Sequence, residues 1–186
     1  MPTTSLPNLK NANRCEVVMN YLSITKCDQL NYEGLRVVLW VSGCSHNCKG
    51  CQNAFSQNPL AGVPFDEAAE KEIFSELEKD WCTGLTLSGG DPLFQSNRET
   101  IINLSKRVKE KFPDKTICLY TGYTWEDIIN DDSMKGILAY VDTIIDGEYV
   151  EALKSVELPW VGSSNQHIIN VKKRLKTVSD IFNATS

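Results

Sequence analysis

Short apolar runs alternate with amphipathic segments along most of the chain. Residues 35–41 form a continuous apolar stretch rich in β-branched side chains, which predicts a strand buried on both faces. Residues 66–79 place Ala69, Ile73 and Leu77 at four-residue spacing among acidic and basic side chains. This spacing predicts an amphipathic helix that buries one face.

The alternation of strand and helix continues toward the C-terminal end. Further strands are predicted at residues 85–88, 117–121, 141–146 and 166–171. Ser96, followed three residues later by Glu99, forms a capping box that predicts a helix start. Thr124, followed by Asp127, predicts a second start of the same kind. The first of these two helices is expected to end at Phe112, because a proline comes next.

Strands and helices in this order predict an α/β fold with a parallel sheet and right-handed crossovers. Ligands on such sheets gather at the carboxyl ends of the strands. Four unusual segments follow predicted strands, namely residues 42–53, 88–92, 121–123 and 146–148. The chain ends at residue 186, too early for a complete barrel of ~250 residues. We therefore expect an incomplete, open barrel whose exposed side docks on a large protein partner.

The composition is that of one compact globular domain. The chain has 186 residues, of which 41% are hydrophobic and 23% are charged. Residues 1–18 are rich in Pro, Asn, Thr and Ser and have almost no apolar periodicity. We therefore expect a flexible N-terminal extension at residues 1–18 and a single domain over residues 19–186.

Charge and hydropathy argue against two classes of partner. The net charge of -5 and the pI near 5.1 disfavour an electrostatic grip on nucleic acid. No apolar stretch approaches the roughly 20 residues of a membrane helix, and no secretory leader is recognisable. Seven cysteines, an odd number in a long chain, favour reduced thiols. We expect a cytoplasmic protein with no nucleic-acid or membrane partner.

Three of the cysteines, Cys44, Cys48 and Cys51, lie in a C-x3-C-x2-C loop directly after the strand at residues 35–41. Three thiolates so spaced can each bind one iron of a four-iron cluster, which leaves the fourth iron without a protein ligand. An iron without a protein ligand can bind a substrate. The spacing therefore favours an iron-sulfur cluster with an open coordination site.

A structural zinc site is the main alternative for this loop, and a surface loop without a metal is the other. Zinc would need a fourth ligand from His46, Cys27 or Cys82. Zinc loops usually carry a second pair of ligands at a distance, and the chain has no second C-x2-C or H-x3-5-H pair. Because an imidazole ligand would close the open site, we expect His46 to be a solvent-facing loop residue.

The second unusual segment is Gly89-Gly90-Asp91-Pro92, which follows the strand at residues 85–88. Two glycines remove side chains where a backbone approaches a ligand closely, and the carboxylate can accept from an amine. An ordinary Gly-Gly turn with a proline at its exit explains the same residues without a ligand. The three-cysteine loop one crossover earlier makes the ligand interpretation more specific.

Together these motifs resemble the radical S-adenosylmethionine superfamily, and more narrowly the activating proteins of anaerobic ribonucleoside-triphosphate reductase. The resemblance covers residues 19–173. Besides the two loops, it is carried by Met19-Asn20-Tyr21, residues 84–93, Asn97-Arg98-Glu99, residues 120–124, Val141-Asp142, Asp146-Gly147, Trp160 and residues 162–166. Gln52 and Val161 stand where that family usually has an aromatic residue and an arginine.

The resemblance implies an incomplete TIM-like barrel that binds a 4Fe-4S cluster and S-adenosylmethionine. The implied activity is reductive cleavage of S-adenosylmethionine, followed by formation of a glycyl radical on the large subunit of an anaerobic ribonucleotide reductase. The implied electron donor is a low-potential protein such as a flavodoxin. Two alternatives stay open, namely another small radical enzyme (a different glycyl-radical activase, or a synthase of a modified base or peptide) and a non-enzymatic metal-binding module.

The resemblance also implies roles for individual residues. The cluster ligands are Cys44, Cys48 and Cys51. The end of the cysteine loop would contact the adenine side of S-adenosylmethionine, through Gly50, Cys51, Gln52 and Asn53. The methionyl end would be contacted by Gly89, Gly90 and Asp91, with the Asp91 carboxylate accepting from the ammonium. Ribose or carboxylate contacts fall to strand-end residues that ordinary capping would also explain, namely Ser88, Thr121 and Asp146.

Overall fold

The computed structural model describes residues 19–184, and the predicted extension at residues 1–18 lies outside the described residues. The strands are β1 (Asn20–Asp28), β2 (Arg36–Val41), β3 (Val63–Pro64), β4 (Gly84–Gly89), β5 (Thr116–Tyr120), β6 (Thr143–Asp146) and β7 (His167–Asn170). The α-helices are α1 (Glu67–Leu77), α2 (Arg98–Lys111), α3 (Trp125–Asn130) and α4 (Val171–Ala184). Short 3-10 helices span Ala54–Gln57, Lys135–Ala139 and Glu151–Leu153.

The strands form one sheet in the order β3-β1-β2-β4-β5-β6-β7. The inner strands β2, β4, β5 and β6 are parallel, as the alternation of strands and helices predicts. The prediction of a parallel sheet is wrong for the flanks, where β1, β3 and β7 pair antiparallel. Strand β1 escapes the pattern analysis because it is only half-buried and its register shifts twice.

The side chains of the inner strands alternate between two faces. One face packs on the helices. Its residues share a single buried cluster with the inward residues of α1, α2 and α3, namely Val37, Leu39, Leu85, Leu87, Ile117, Leu119 and Ile144. The predicted inward positions of α1 and α2 are confirmed, since Ile73 and Leu104 lie in this cluster. Across residues 19–184, no helix has the length and apolar character needed to traverse a lipid bilayer.

The opposite face carries a buried arginine at the amino end of the sheet. Arg36 is 1% exposed, and its guanidinium donates to the Thr86 hydroxyl at 2.7 Å and the Thr116 hydroxyl at 2.9 Å. It also donates to the carbonyls of Leu85 and Thr116 at 2.7 and 3.0 Å. Burial lowers the pKa of Arg36. Because these partners lie on β4 and β5, one side chain holds the amino ends of three neighbouring strands together.

The two predicted capping boxes have different outcomes. The box at Thr124 is confirmed, because its hydroxyl accepts from the Asp127 backbone and the Asp127 carboxylate accepts from the Thr124 backbone at 2.8 Å. The box at Ser96 is wrong, because α2 begins one residue later with Asn97 as its N-cap. The Asn97 side chain caps nothing and donates to the carbonyls of Ser42 and Asp91 at 2.8 and 3.0 Å. The start of α2 is thus set by contacts with the loops of the sheet edge.

The two boxes give a matched pair of variants. Thr124→Ala removes an oxygen that satisfies a backbone N–H of α3, so it should lower the free energy of unfolding by about 1 kcal/mol. Ser96→Ala should change it by less than about 0.5 kcal/mol, because Ser96 caps no helix. Urea unfolding followed by circular dichroism measures both values. Equal losses in the two variants would contradict the helix starts described above.

Candidate functional site

The cysteine loop packs on the Gly-Gly loop at the carboxyl edge of the sheet. The Asp91 backbone N–H donates to the Gly43 carbonyl at 2.7 Å, and the Gly90 N–H donates to the Val41 carbonyl at 2.8 Å. A Cβ on Gly90 would lie 2.5 Å from the Gly43 oxygen, so a side chain at this position would separate the loops. The two segments that sequence analysis singled out are therefore in direct backbone contact.

The three cysteines of the loop are free thiols, and all are half-buried. Gly50 adopts a φ of +74° between Cys48 and Cys51, a conformation that favours glycine. Burial raises the pKa of the Cys44 thiol to about 11 and raises the pKa of Cys48, although the Tyr149 backbone donates to the Cys48 sulfur. Metals bind thiolates, whereas burial favours the neutral thiol. These thiols should therefore lose their protons only when a metal binds them.

The three cysteines are not arranged as three ligands of a single zinc ion. Tetrahedral zinc with Zn–S bonds of about 2.3 Å needs ligand sulfurs roughly 3.8 Å apart. Among residues 19–177, one trio of candidate ligand atoms lies within 4.8 Å of one another, and its members are Cys44, His46 and Asp91 rather than the three cysteines. The three sulfurs are therefore not all gathered as closely as one zinc ion requires, and the set that could hold a single metal ion is Cys44, His46 and Asp91.

The other two cysteines proposed as zinc ligands lie away from the loop. Cys82 is buried before β4 and donates to the Gly84 carbonyl at 3.6 Å. Cys27 is exposed near the end of β1, next to Asp28, which pairs with Arg36. Both thiols therefore lie toward the amino ends of the parallel strands, whereas the loop follows the carboxyl end of β2. Neither can complete a zinc site with Cys44, Cys48 and Cys51.

Asp91 is the centre of the hydrogen-bond network between the loops. The residue is 1% exposed. It accepts from the Leu93 N–H at 2.7 Å, the Thr121 hydroxyl at 2.9 Å, the Gly122 N–H at 2.9 Å and the His46 Nε2 at 2.9 Å. Thr121, predicted from its strand-end position, thus meets Asp91 directly. A buried carboxylate with this many donors is well satisfied and holds its surroundings in place.

His46 does not face solvent, so that expectation is wrong. Its side chain is 10% exposed, and both ring nitrogens meet carboxylates, Nε2 at Asp91 and Nδ1 at the Glu148 Oε1, each at 2.9 Å. The ring also packs edge-on to Tyr123 with a centroid distance of 4.7 Å. The hydrogen bond to Asp91 is the main cause that raises the pKa of His46. Two carboxylates from distant segments, invisible in the local sequence, draw the imidazole inward.

Asp146 lies at the same sheet edge but outside this network. Its buried carboxylate accepts from the Trp125 N–H at 2.9 Å, the His167 N–H at 3.2 Å and the His167 Nδ1 at 3.0 Å. These bonds fix the start of α3 and the start of β7. They match the strand-end capping weighed for this residue from the sequence, and its role toward a ligand stays a prediction.

A cavity of about 480 Å³ opens beside Cys51 on the face opposite the helices. Four of its lining residues come from the predicted set, Cys51, Gln52, Asn53 and Ser88. Four aromatic residues that sequence analysis did not assign to the site complete much of the wall, Trp40, Tyr120, Tyr149 and Trp160. Strand alternation could have revealed two of them, because Trp40 pairs with Ser88 and Tyr120 is the last residue of β5.

Comparison with known proteins identifies the family. Residues 30–169 match the family described as 4Fe-4S single cluster domain. An anaerobic ribonucleoside-triphosphate reductase-activating protein of Enterobacteria phage T4 is 48% identical over 150 residues, which are 81% of this chain and 93% of the relative. Relatives with the same name from Haemophilus influenzae and Escherichia coli are 43% and 36% identical, each over 83% of this chain and 99% or all of the relative. The chain belongs to the family of anaerobic ribonucleoside-triphosphate reductase-activating proteins.

Proposed function

We propose that the chain is a radical S-adenosylmethionine enzyme that activates an anaerobic ribonucleoside-triphosphate reductase by generating a glycyl radical on it. The observation that carries this proposal is the direct backbone contact between the three-cysteine loop and the Gly-Gly-Asp-Pro loop. That contact brings three free thiols and a backbone without side chains together at the carboxyl edge of the sheet, beside a cavity lined by aromatic and polar residues. The name of the relatives supplies the protein substrate.

Cys44, Cys48 and Cys51 are the proposed ligands of a 4Fe-4S cluster. A bound cluster would supply one electron for cleavage of the sulfonium S–C5′ bond of S-adenosylmethionine, which would give methionine and a 5′-deoxyadenosyl radical able to take a hydrogen atom from a glycine of the reductase. The proposed role of the residues of this chain is to hold the reactants close together in a fixed orientation. A low-potential donor such as a flavodoxin is the proposed source of the electron, and the cytoplasm is the proposed location.

The cavity beside Cys51 is the proposed site of S-adenosylmethionine. Its aromatic rings suit an adenine, and Gly50, Gln52 and Asn53 line or flank the side toward the cysteine loop. Ser88, Gly89 and Gly90 are the proposed neighbours of the ribose and methionyl parts. Ser88 reaches the cavity, and both glycines approach neighbouring backbone too closely for a Cβ.

The remaining proposed ligand contacts are made by two carboxylates and one hydroxyl group. Asp91 is the proposed partner of the methionyl ammonium, through a carboxylate that already accepts from four donors. Thr121 and Asp146 are proposed near the ribose or the carboxylate of the ligand. Both already make internal hydrogen bonds, so their ligand contacts would add to a structural role.

We further propose that the fold is an incomplete TIM-like barrel of the radical S-adenosylmethionine type. The buried cluster of the first three helices covers one sheet face, as helices cover the outside of a barrel. The other face is crossed by residues 29–35 and 147–166, where the rings of Tyr32 and Trp160 pack 5.1 Å apart. The large reductase subunit is proposed to approach from this side, where its glycine can reach the cavity.

The proposed activity is tested with anaerobically reconstituted protein, a reductant, S-adenosylmethionine and a partner reductase. We expect methionine and 5′-deoxyadenosine in equal amounts, together with a glycine-centred radical signal on the reductase. Deoxyadenosine formed with turnover of a small molecule, and without a radical on the reductase, would favour another radical enzyme. A colourless protein that holds one zinc ion would refute the proposal.

Serine variants test the ligand assignment. Replacing Cys44, Cys48 or Cys51 by serine removes one thiolate, so the iron retained after reconstitution should fall several-fold and cleavage of S-adenosylmethionine should be lost. Cys27→Ser is the matched control, because Cys27 is exposed on β1, and it should keep its iron. Iron and sulfide analysis measures both. Iron loss in Cys27→Ser, or full iron in a loop variant, would contradict the assignment.

Alanine variants test the contact between the two loops. Gly90→Ala places a methyl group against the Gly43 carbonyl, so it should destabilise the protein by about 1–3 kcal/mol and weaken S-adenosylmethionine binding. Gly136→Ala is the control, because the nearest atom to its Cβ would be the Ile102 Cδ1 at 3.8 Å. Thermal unfolding and equilibrium binding measure the two effects. A Gly90→Ala protein as stable as the control would contradict the described contact.

A further inference from the structure

We propose that His46 is a positioning residue that fixes the cysteine loop against the Gly-Gly-Asp-Pro loop, and that its bond to Asp91 persists when S-adenosylmethionine is bound. The proposal rests on the proposed function for the identity of the ligand. Its structural part concerns residues of this chain alone. We refer to the contacts of the imidazole with Asp91 and Glu148 as the His46 link.

The His46 link joins three segments that are far apart in the sequence. His46 lies between two proposed cluster ligands, Asp91 follows β4, and Glu148 follows β6. Both ring nitrogens are used, each at 2.9 Å from a carboxylate oxygen. The buried bond to Asp91 carries most of the link, because the Glu148 side chain is 55% exposed and water weakens its attraction.

Gly122 gives independent evidence that the His46 imidazole is closely packed against its surroundings. A Cβ on Gly122 would lie 2.5 Å from the His46 Cδ2 and 2.7 Å from its Nε2. The φ of Gly122 lies outside the left-handed region, so the backbone does not require glycine. The small residue at this position is therefore explained by the space that the imidazole fills on the end of β5.

His46 also faces a proposed cluster ligand through its backbone. A hydrogen bond from the His46 backbone N–H to the Cys44 thiol opposes the effect of burial on the pKa of that thiol, while the imidazole Nε2 of the same residue donates to the Asp91 carboxylate. One residue thus orients a ligand thiol and anchors the loop that carries it. A loop held in this way keeps the cysteines at a fixed distance from the Gly-Gly backbone, where the methionyl end is proposed to bind.

A competing role for His46 is that of a placeholder. The ammonium of S-adenosylmethionine could displace the imidazole from Asp91, so that His46 would occupy the place of the ligand only in its absence. The two roles predict opposite effects of removing the imidazole. A positioning residue strengthens ligand binding, whereas a placeholder competes with the ligand and weakens binding.

Two variants of the cluster-loaded protein separate these roles. His46→Ala removes the link, and we expect about tenfold weaker binding of S-adenosylmethionine with the iron content unchanged. His46→Gln keeps an N–H donor near Asp91, so its affinity should stay within about threefold of the native protein. The change that S-adenosylmethionine causes in the paramagnetic signal of the reduced cluster should shrink in His46→Ala and return in His46→Gln.

Hydrogen exchange of the cluster-free protein tests the link without any cofactor. Amides of residues 43–53 and 119–124 should exchange several-fold faster in His46→Ala than in the native protein or in His46→Gln. Gly122→Ala should have the same effect, because its methyl group displaces the imidazole. The double variant, with both His46→Ala and Gly122→Ala, should exchange no faster than His46→Ala alone, because the added methyl group then has no imidazole to displace.

The outcomes distinguish this proposal from the proposed function. Unchanged exchange and unchanged affinity in His46→Ala would overturn the positioning role, and tighter binding would establish the placeholder role instead. Loss of iron in both His46→Ala and His46→Gln would overturn it as well, by making His46 a ligand. If the native protein cleaves no S-adenosylmethionine but the exchange results hold, the activity is refuted and the link stands.

Discussion

The carboxylate of Asp91 is the interaction on which the arrangement of the site depends. A buried charge is stable only when donors surround it, and here the donors come from the cysteine loop, the Gly-Gly loop and the end of β5. Asn97 adds a further connection, because its side chain bridges the carbonyls of Ser42 and Asp91. Loops that have little regular structure of their own thereby acquire one arrangement. That arrangement places the cysteines beside a side-chain-free backbone.

Each end of the parallel strands has a buried charged side chain, and the two are satisfied by opposite kinds of hydrogen-bonding group. At the amino end, the Arg36 guanidinium is satisfied by hydroxyl and carbonyl oxygens alone. At the carboxyl end, the Asp91 carboxylate is satisfied by amide, hydroxyl and imidazole groups. The amino end joins neighbouring strands and is structural. The carboxyl end joins loops, which leaves space between them for a ligand.

Sequence analysis identified what local patterns determine. The inner strands, α1 and the cap at Thr124 follow from periodicity and capping chemistry, and the cysteine and Gly-Gly loops follow from residue type and spacing. The rest depends on contacts between distant residues. His46 is drawn inward by Asp91 and Glu148, and the start of α2 is shifted by the contacts of Asn97 with the loops. The aromatic wall of the cavity was missed because Tyr149 and Trp160 belong to no periodic element.

Residues 147–166 leave the sheet and return to it at nearly the same point. Gln166 donates to the Gly147 carbonyl at 2.9 Å, and Asp146 accepts from His167 just beyond. The two ends of this segment are therefore joined by hydrogen bonds. It supplies Tyr149 and Trp160 to the cavity wall and donates from the Tyr149 backbone to Cys48. Loops whose ends lie close together are compact surface segments that frequently carry function. The middle of this segment is therefore free to differ in sequence without disturbing the strands, whereas Glu148 and Tyr149 are held by their contacts with the cysteine loop.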